Sequence, residues 1–184
     1  MYKKHKSVKF LLILLTAGCL TFFSACTSWP KKTALEPVKD FDLEQYLGDW
    51  YEIARFDFLW EKDLKNVMAN YSLNENGSIK VTNTGYNYKQ NNFKESIGKA
   101  KVKTGRPTSE LKVSFFGPFY SDYTIIAVDD NYQYALVAGK NLNYLWFLSR
   151  TPQMPEEIRK EYISIAEGYG YNLSSLVWTV QESY

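Results

Sequence analysis

The feature that most restricts the fold is a series of short alternating segments between residues 48 and 149. The segments are rich in aromatic and β-branched residues, and turn residues separate them, Asn76-Gly77 being the clearest hairpin signal. Eight such segments with short connections predict an up-and-down antiparallel meander, which we expect to close because open edges promote aggregation. The predicted strands span 48–57, 67–73, 78–88, 93–103, 110–116, 123–128, 134–138 and 144–149.

Two prolines, Pro152 and Pro155, end the eighth segment, and a helix is predicted over 155–168. Its apolar residues share one face, as in a helix that packs on a sheet. A short final strand is predicted over 176–180, and a single helical turn over 42–46 precedes the first strand. The predicted fold is therefore all-β, an eight-stranded up-and-down antiparallel barrel with one C-terminal α-helix and a short final strand.

Residues 1–25 are typical of a secretory signal peptide, with four lysines before an apolar run over 10–23. Ser24-Ala25-Cys26 resembles a bacterial lipoprotein box, which implies cleavage before Cys26 and acylation of that residue. Cys19, after Thr16-Ala17-Gly18, is the alternative cleavage site. A plain transmembrane anchor is disfavoured because the apolar run is shorter than about 20 residues.

Residues 26–39 are polar and contain two prolines, so we interpret them as an acylated tether without structure of its own. Residues 40–184 form the predicted domain. Thr27, rather than Asp, follows the predicted acylated cysteine, which by the lipoprotein sorting rule implies the outer membrane.

The charge and the rare residues exclude several classes of function. The formal net charge of +2 includes four lysines from residues 1–25, so the remainder carries −2 and offers no basic surface for nucleic acid. Cys19 and Cys26 are the only cysteines and His5 is the only histidine. The mature domain therefore lacks the residues of a Cys–His pair, a Ser–His–Asp triad or an ordinary zinc site, and we expect no metal and no cofactor.

Three phrases resemble one protein family: Gly48-Asp49-Trp50-Tyr51-Glu52-Ile53-Ala54-Arg55-Phe56, then residues 111–120, then Leu145-Trp146-Phe147-Leu148-Ser149-Arg150-Thr151-Pro152. Their order and spacing are similar to those of the lipocalins across residues 40–182. The likeness is strongest to the bacterial outer-membrane branch, which has apolipoprotein-D-like relatives.

This resemblance implies a lipocalin barrel closed at one end by Gly48, Trp50 and Arg150, and a cavity that takes an apolar ligand. A guanidinium can lie flat on an indole face, which suits such a closure. Bacterial members resemble carriers of fatty acids or lysophospholipids that act in membrane maintenance under stress. The implied protein is not an enzyme. The resemblance implies that a lipid anchor holds the protein at the outer membrane, facing the periplasm. A homodimer is a further expectation.

Alternation predicts which side chains line the cavity, with Trp50 taken as facing inward. Counting forward by two from Trp50 predicts two lining residues on the first strand, and counting back by two from Arg150 predicts three on the eighth. Weaker register arguments predict six more on other strands. The apolar segment 58–60, which we interpret as a mouth or lid or as packing on the rim, adds one residue. A register slip of one residue would reverse these positions, and a filled core is the alternative. The predicted lining is Ala54, Phe56, Trp60, Ala69, Tyr71, Val81, Asn83, Val113, Phe115, Tyr144, Trp146 and Leu148.

Other hypotheses remain open from the sequence. Glu52 near Arg55 or Tyr71 could serve as the acid or base of a lipid-modifying enzyme, although a carboxylate hydrogen-bonded inside the barrel is the simpler interpretation. A small outer-membrane β-barrel is disfavoured by the lipidation cysteine, the helix and the row of lysines over 99–103. A barrel with a filled core, used only for protein contacts, is the third alternative.

Overall fold

The computed structural model describes residues 34–59 and 61–182. The predicted signal peptide, Cys26, the tether as far as residue 33, and Trp60 lie outside the described residues.

The chain forms one antiparallel sheet that closes on itself. Helix α1 (Leu43–Tyr46) begins at Asp42, whose side chain accepts hydrogen bonds from the backbone of Glu44 and Gln45. Successive strands pair from β2 to β8, and β1 pairs with both β8 and β2, which confirms the predicted eight-stranded closed barrel. The strands are β1 (Gly48–Phe56), β2 (Leu64–Leu73), β3 (Ile79–Asn87), β4 (Asn92–Val102), β5 (Glu110–Phe116), β6 (Phe119–Val128), β7 (Tyr134–Gly139) and β8 (Leu145–Ser149).

Helix α2 (Glu156–Gly168) follows the barrel, and β9 (Leu176–Trp178) then pairs with the second half of β1. Pro155 is the residue before the helix rather than its first helical position, and its carbonyl accepts from the backbone of Arg159. The buried face of α2 carries Tyr162, whose ring meets Phe147 of β8 edge-on at 5.9 Å. The helix therefore covers the outside of the barrel.

Two strands begin at least three residues earlier than the sequence predicted. β2 starts at Leu64 rather than at residue 67, with a bulge before Met68 that the polar sequence of this segment conceals. β6 starts at Phe119 rather than at residue 123, because Phe116 and Phe119 pair directly across a two-residue turn. The aromatic residues beside that turn therefore belong to strands.

The apolar side chains form two separate cores. One core lies inside the closed end of the barrel, around Tyr46, Trp50 and Tyr71. The other lies outside the barrel, where β1, β7 and β8 pack against α2. The cavity occupies the space between the inner core and the open end of the barrel.

The prediction that Ala54 and Phe56 line the cavity was wrong. The pairing of β1 with β8 shifts register between Glu52 and Ala54, so alternation changes sides at this bulge. Ala54 and Phe56 lie in the outer core, and the Phe56 ring stacks on Tyr171 at 6.0 Å. The next residue, Arg55, lies among carboxylates at the cavity wall instead.

The position of Phe56 in the outer core determines what its truncation should change. Phe56→Ala should lower the free energy of unfolding by about 3 kcal/mol, the cost of truncating a buried aromatic side chain. It should change ligand affinity less than about twofold, because the side chain does not face the cavity. Urea unfolding and a fluorescent fatty-acid titration test both parts, and a large loss of affinity with intact stability would contradict the observed register.

Candidate functional site

The barrel encloses a cavity of about 910 Å³, near the upper end of the usual range for ligand sites, which is about 300–1,000 Å³. Its lining includes Leu59 and Phe119, each 78% exposed, so the cavity reaches the protein surface. Exposed lysines, Lys62, Lys94 and Lys140, also line it. The cavity is thus a pocket with an apolar wall and charged groups at exposed positions.

Most of the predicted lining lies where the sequence analysis placed it. Ala54 and Phe56 of β1 do not line the cavity, and Trp60 lies outside the described residues. Contact of the remaining side chains with a ligand stays a prediction. Nine of the twelve predicted residues line the cavity: Ala69, Tyr71, Val81, Asn83, Val113, Phe115, Tyr144, Trp146 and Leu148.

Arg150 and Trp50 meet at the closed end of the barrel. The guanidinium carbon of Arg150 lies 3.8 Å from the centre of the Trp50 ring, and Trp50 is fully buried. The same guanidinium donates hydrogen bonds to backbone carbonyls of Gln45, Leu47, Asp49 and Tyr132, at 2.7–3.1 Å. One side chain thus joins the approach to β1 with the turn before β7.

Gly48 permits this approach of the chain. Its φ of +95° lies in the region that side chains with a Cβ rarely adopt. A Cβ at this position would also lie 3.5 Å from Nη1 of Arg150. The glycine therefore sets the backbone that places Trp50 beneath the guanidinium.

A chain of three tyrosine hydroxyls lies between Trp50 and the cavity. The hydroxyl of Tyr123 is 2.7 Å from those of both Tyr46 and Tyr71. Tyr71 and Tyr123 line the cavity, and the Tyr46 ring packs on Trp50 at 4.9 Å. Burial raises the pKa of Tyr71 to about 12, so this polar floor stays uncharged at neutral pH.

Three charged side chains form a buried group on one wall, which we call the wall cluster: Glu52, Arg55 and Glu61. Nη1 of Arg55 lies 2.7 Å from Oε1 of Glu52, and Nε lies 3.7 Å from Oε2 of Glu61. Arg55 and Glu52 are 2% and 3% exposed, and both glutamates line the cavity. Nη2 of Arg55 also donates to Oδ1 of Asp57 at 3.2 Å, so three carboxylates contact one guanidinium. The fully ionised wall cluster alone carries one uncompensated negative charge.

Burial therefore acts on the ionisation of both glutamates. Desolvation, opposed by the charge of Arg55, raises the pKa of Glu52 above its usual range. Desolvation, assisted by the neighbouring Glu52 charge, raises the pKa of Glu61 well above its usual range. Of the two, we assign the shared proton to Glu61, because Glu52 is held by both Arg55 and the hydroxyl of Thr179.

The raised pKa of Glu61 leads to a second prediction. A carboxyl that binds its proton more tightly when folded stabilises the fold fully below its unfolded pKa, near 4.5, and loses that contribution as pH rises towards the folded value. Glu61→Gln removes this proton uptake. The variant should therefore gain stability relative to wild type as pH rises from about 4.5 to about 8.

Urea unfolding of both proteins across this pH range measures the difference directly, and contributions from groups that do not interact with Glu61 cancel. Glu95→Gln, which changes an exposed carboxylate of the lining, is the matched control and should show no such trend. A difference between wild type and Glu61→Gln that stays constant with pH would contradict the assignment.

Three aromatic rings stand beside the wall cluster, and we call them the aromatic group: Phe58, Tyr144 and Trp146. The ring of Phe58 meets Tyr144 at 5.8 Å and Trp146 at 6.1 Å, and the Tyr144 and Trp146 rings stack at 6.2 Å. Nε1 of Trp146 donates to Oε2 of Glu61 at 3.2 Å. The apolar segment that follows β1 therefore packs the ring of Phe58 against the cavity wall.

Sequence reasoning missed Glu61 and Tyr123 as site residues. Glu61 lies in an irregular polar segment. Because this segment has no periodicity, its sequence does not indicate that Glu61 returns to the cavity wall. The sequence predicts Tyr123 on a strand but does not indicate which face of the sheet its side chain occupies. Its spacing of two from Ile125 and Ser121 was the available signal, and the bulge between Ile125 and Ala127 obscured it.

The residues that the structure describes contain no candidate metal site and no candidate membrane-spanning helix. No group of three or more His, Cys, Asp or Glu side chains in that part of the chain is placed to hold a metal ion. No helix there has the length and apolar character needed to cross a membrane.

Comparison with known proteins adds independent information. The model of the lipocalin-like domain matches residues 41–181. The outer membrane lipoprotein Blc of Escherichia coli K12 is 44% identical over 173 residues, which cover 93% of this chain and 97% of that protein. Apolipoprotein D of Rattus norvegicus is 34% identical over 156 residues, covering 80% and 81%.

Solved structures show the same fold at low identity. Insecticyanin from the tobacco hornworm Manduca sexta aligns with a TM-score of 0.65 at 18% identity, covering 82% of this chain and 87% of that one. Lobster apocrustacyanin A1 aligns with a TM-score of 0.64 at 21% identity, covering 77% and 81%.

Proposed function

Because the chain belongs to the lipocalin family, we propose that it binds apolar lipids, fatty acids or lysophospholipids, in its barrel cavity and carries or stores them at the bacterial outer membrane. The observation that carries this proposal is the cavity of about 910 Å³ that reaches the surface between exposed apolar residues.

The lower wall of the cavity suits an acyl chain. Val81, Val113 and Leu148 supply apolar surface, and the tyrosine floor is already hydrogen-bonded within itself. Transfer of an acyl chain from water gains about 0.8 kcal/mol for each buried CH₂. A chain of about a dozen carbons can thus reach micromolar affinity without a polar contact.

The location follows from the relatives and from the lipoprotein box. The Escherichia coli, Citrobacter freundii and Vibrio cholerae relatives are named outer membrane lipoproteins. We propose that Cys26 carries the acyl anchor and that the domain faces the periplasm. A role in membrane maintenance under stress and a homodimer are further parts of this proposal.

A carrier and a lipid-modifying enzyme predict different fates for the ligand. The processed protein, held in amphipol, is titrated with a fluorescent fatty acid, which is then displaced with a lysophospholipid. A carrier shows saturable binding and returns both lipids unchanged by mass spectrometry. Conversion of the lysophospholipid by wild type, lost in Glu52→Gln, would favour the enzyme hypothesis instead, and an absence of saturable binding would contradict a carrier.

A further inference from the structure

When Glu61 is ionised, the wall cluster holds one negative charge that Arg55 does not compensate. Oε1 of Glu52 accepts hydrogen bonds from Arg55 and Thr179, and Oε2 of Glu61 accepts one from Trp146. The second oxygen of each carboxylate has no hydrogen-bond partner among the described residues. Both glutamates line the cavity, so these oxygens are available to a ligand rather than to the protein.

The aromatic group adds a second attraction for the same kind of ligand. The faces of aromatic rings attract cations, tryptophan most strongly, and a carboxylate beside such rings adds a direct ionic contact. Trp146 and Phe58 both line the cavity next to Glu61. Lys140 already places its ammonium 5.3 Å from the centre of the Tyr144 ring, which shows a cation on one member of the group.

We propose that Glu61, with Trp146 and Phe58, forms a subsite for the ammonium group of a lipid whose acyl chain occupies the cavity below. This inference rests on the proposed lipid-binding function and specifies its head-group class. Glu61 lies on the segment between β1 and β2 that also contributes the exposed Leu59. A head group at Glu61 therefore leaves the deeper cavity, as far as Tyr71 and Tyr123, for the chain.

Other charges do not cancel this preference. Lys62, Lys94 and Lys140 occupy exposed positions, where water and salt weaken their action on a ligand. The Glu61 side chain is 13% exposed, so its interaction is screened less. Arg55 is the exception, because it is buried, but its charge is matched by Glu52.

The test compares three probes with the same dodecyl chain: dodecyltrimethylammonium, dodecanol and dodecanoate. Each displaces a fluorescent fatty acid from the processed protein held in amphipol. Wild type should bind the ammonium probe about tenfold more tightly than the alcohol, and the carboxylate probe no more tightly than the alcohol. Glu61→Gln should bind the ammonium probe and the alcohol equally. Glu75→Gln, which changes an exposed carboxylate outside the cavity lining, should keep the preference of wild type.

The pH dependence gives a readout that a purely structural role of Glu61 would not produce. Glu52, Arg55 and Asp57 from the β1 side and Tyr71 from β2 are the charged or titratable groups that act on Glu61. Because an ammonium ligand favours ionised Glu61, the preference of wild type should grow as pH rises, and the preference of the Gln variant should stay flat. If the variant fails to fold, a preference of wild type that does not change with pH would still overturn the subsite.

Each outcome bears on a different claim. Equal affinities of wild type for the ammonium probe and the alcohol, or a preference that survives Glu61→Gln, would overturn the subsite and leave the carrier proposal intact. A variant that loses affinity for all three probes alike would assign Glu61 a structural role and would also overturn the subsite. Wild type that binds none of the probes would overturn both proposals.

Discussion

Trp50→Ala should lower the free energy of unfolding by about 4 kcal/mol, a large part of the roughly 5–15 kcal/mol that stabilises a domain. The side chain is fully buried, so its truncation leaves a cavity beneath Tyr46. The change also removes the ring under Arg150 and the hydrogen bond that Nε1 donates to the carbonyl of Tyr46 at 2.8 Å. Urea unfolding followed by circular dichroism gives the value.

Trp178→Ala is the matched control for this variant. Trp178 is also a strand tryptophan with an arginine over its ring, Arg159 at 5.3 Å, but it is 43% exposed. Its truncation should cost roughly 1–2 kcal/mol, because much of its surface is already in water. Equal losses in the two variants would show that Trp50 contributes nothing special to the closed end.

Asn83→Trp should weaken fatty-acid binding about fiftyfold and leave stability almost unchanged. Asn83 lines the cavity, and its neighbours across the sheet are the small residues Ala69 and Ser96. The buried Oδ1 of Asn83 accepts no hydrogen bond from the described residues, so replacing the side chain breaks no hydrogen bond of that atom there. An indole that displaces about three methylene groups of the ligand removes roughly 2.4 kcal/mol, which corresponds to that loss of affinity.

Lys80→Trp places the same side chain on the outer face of β3 and serves as the control. Lys80 is exposed and does not line the cavity. Fatty-acid affinity should stay within about twofold of wild type. Unchanged binding by Asn83→Trp, with the control also unchanged, would mean that the ligand does not occupy the barrel.

The order of elements was predictable because it depends on local signals. Turn residues and alternation located eight strands, and the resemblance to lipocalins identified Gly48, Trp50 and Arg150 before their contact was visible. Arg150 lies about a hundred residues from Trp50 in the chain, so no local pattern links the two; the family pattern did. The nine lining residues correctly placed lie on strands whose register is regular around them.

The two errors in the predicted lining, Ala54 and Phe56, have one physical cause, which is that a bulge changes the face of every residue after it. Ala54 and Phe56 were misplaced by the bulge after Glu52, and the same bulge brings Arg55 to the cavity wall. The wall cluster depends further on Glu61, in a segment without periodicity. Its contact with Trp146 is set by tertiary packing, so alternation along the strands could not predict it.

Native mass spectrometry of the processed protein, extracted gently and never exposed to added lipid, tests most directly whether the barrel holds a lipid. We predict a wild-type mass above that of the acylated chain by one lipid, released on denaturation, and a much lower occupancy for Asn83→Trp. A wild-type mass equal to that of the acylated chain alone, in a protein that also fails to take up fatty acid, would contradict the account.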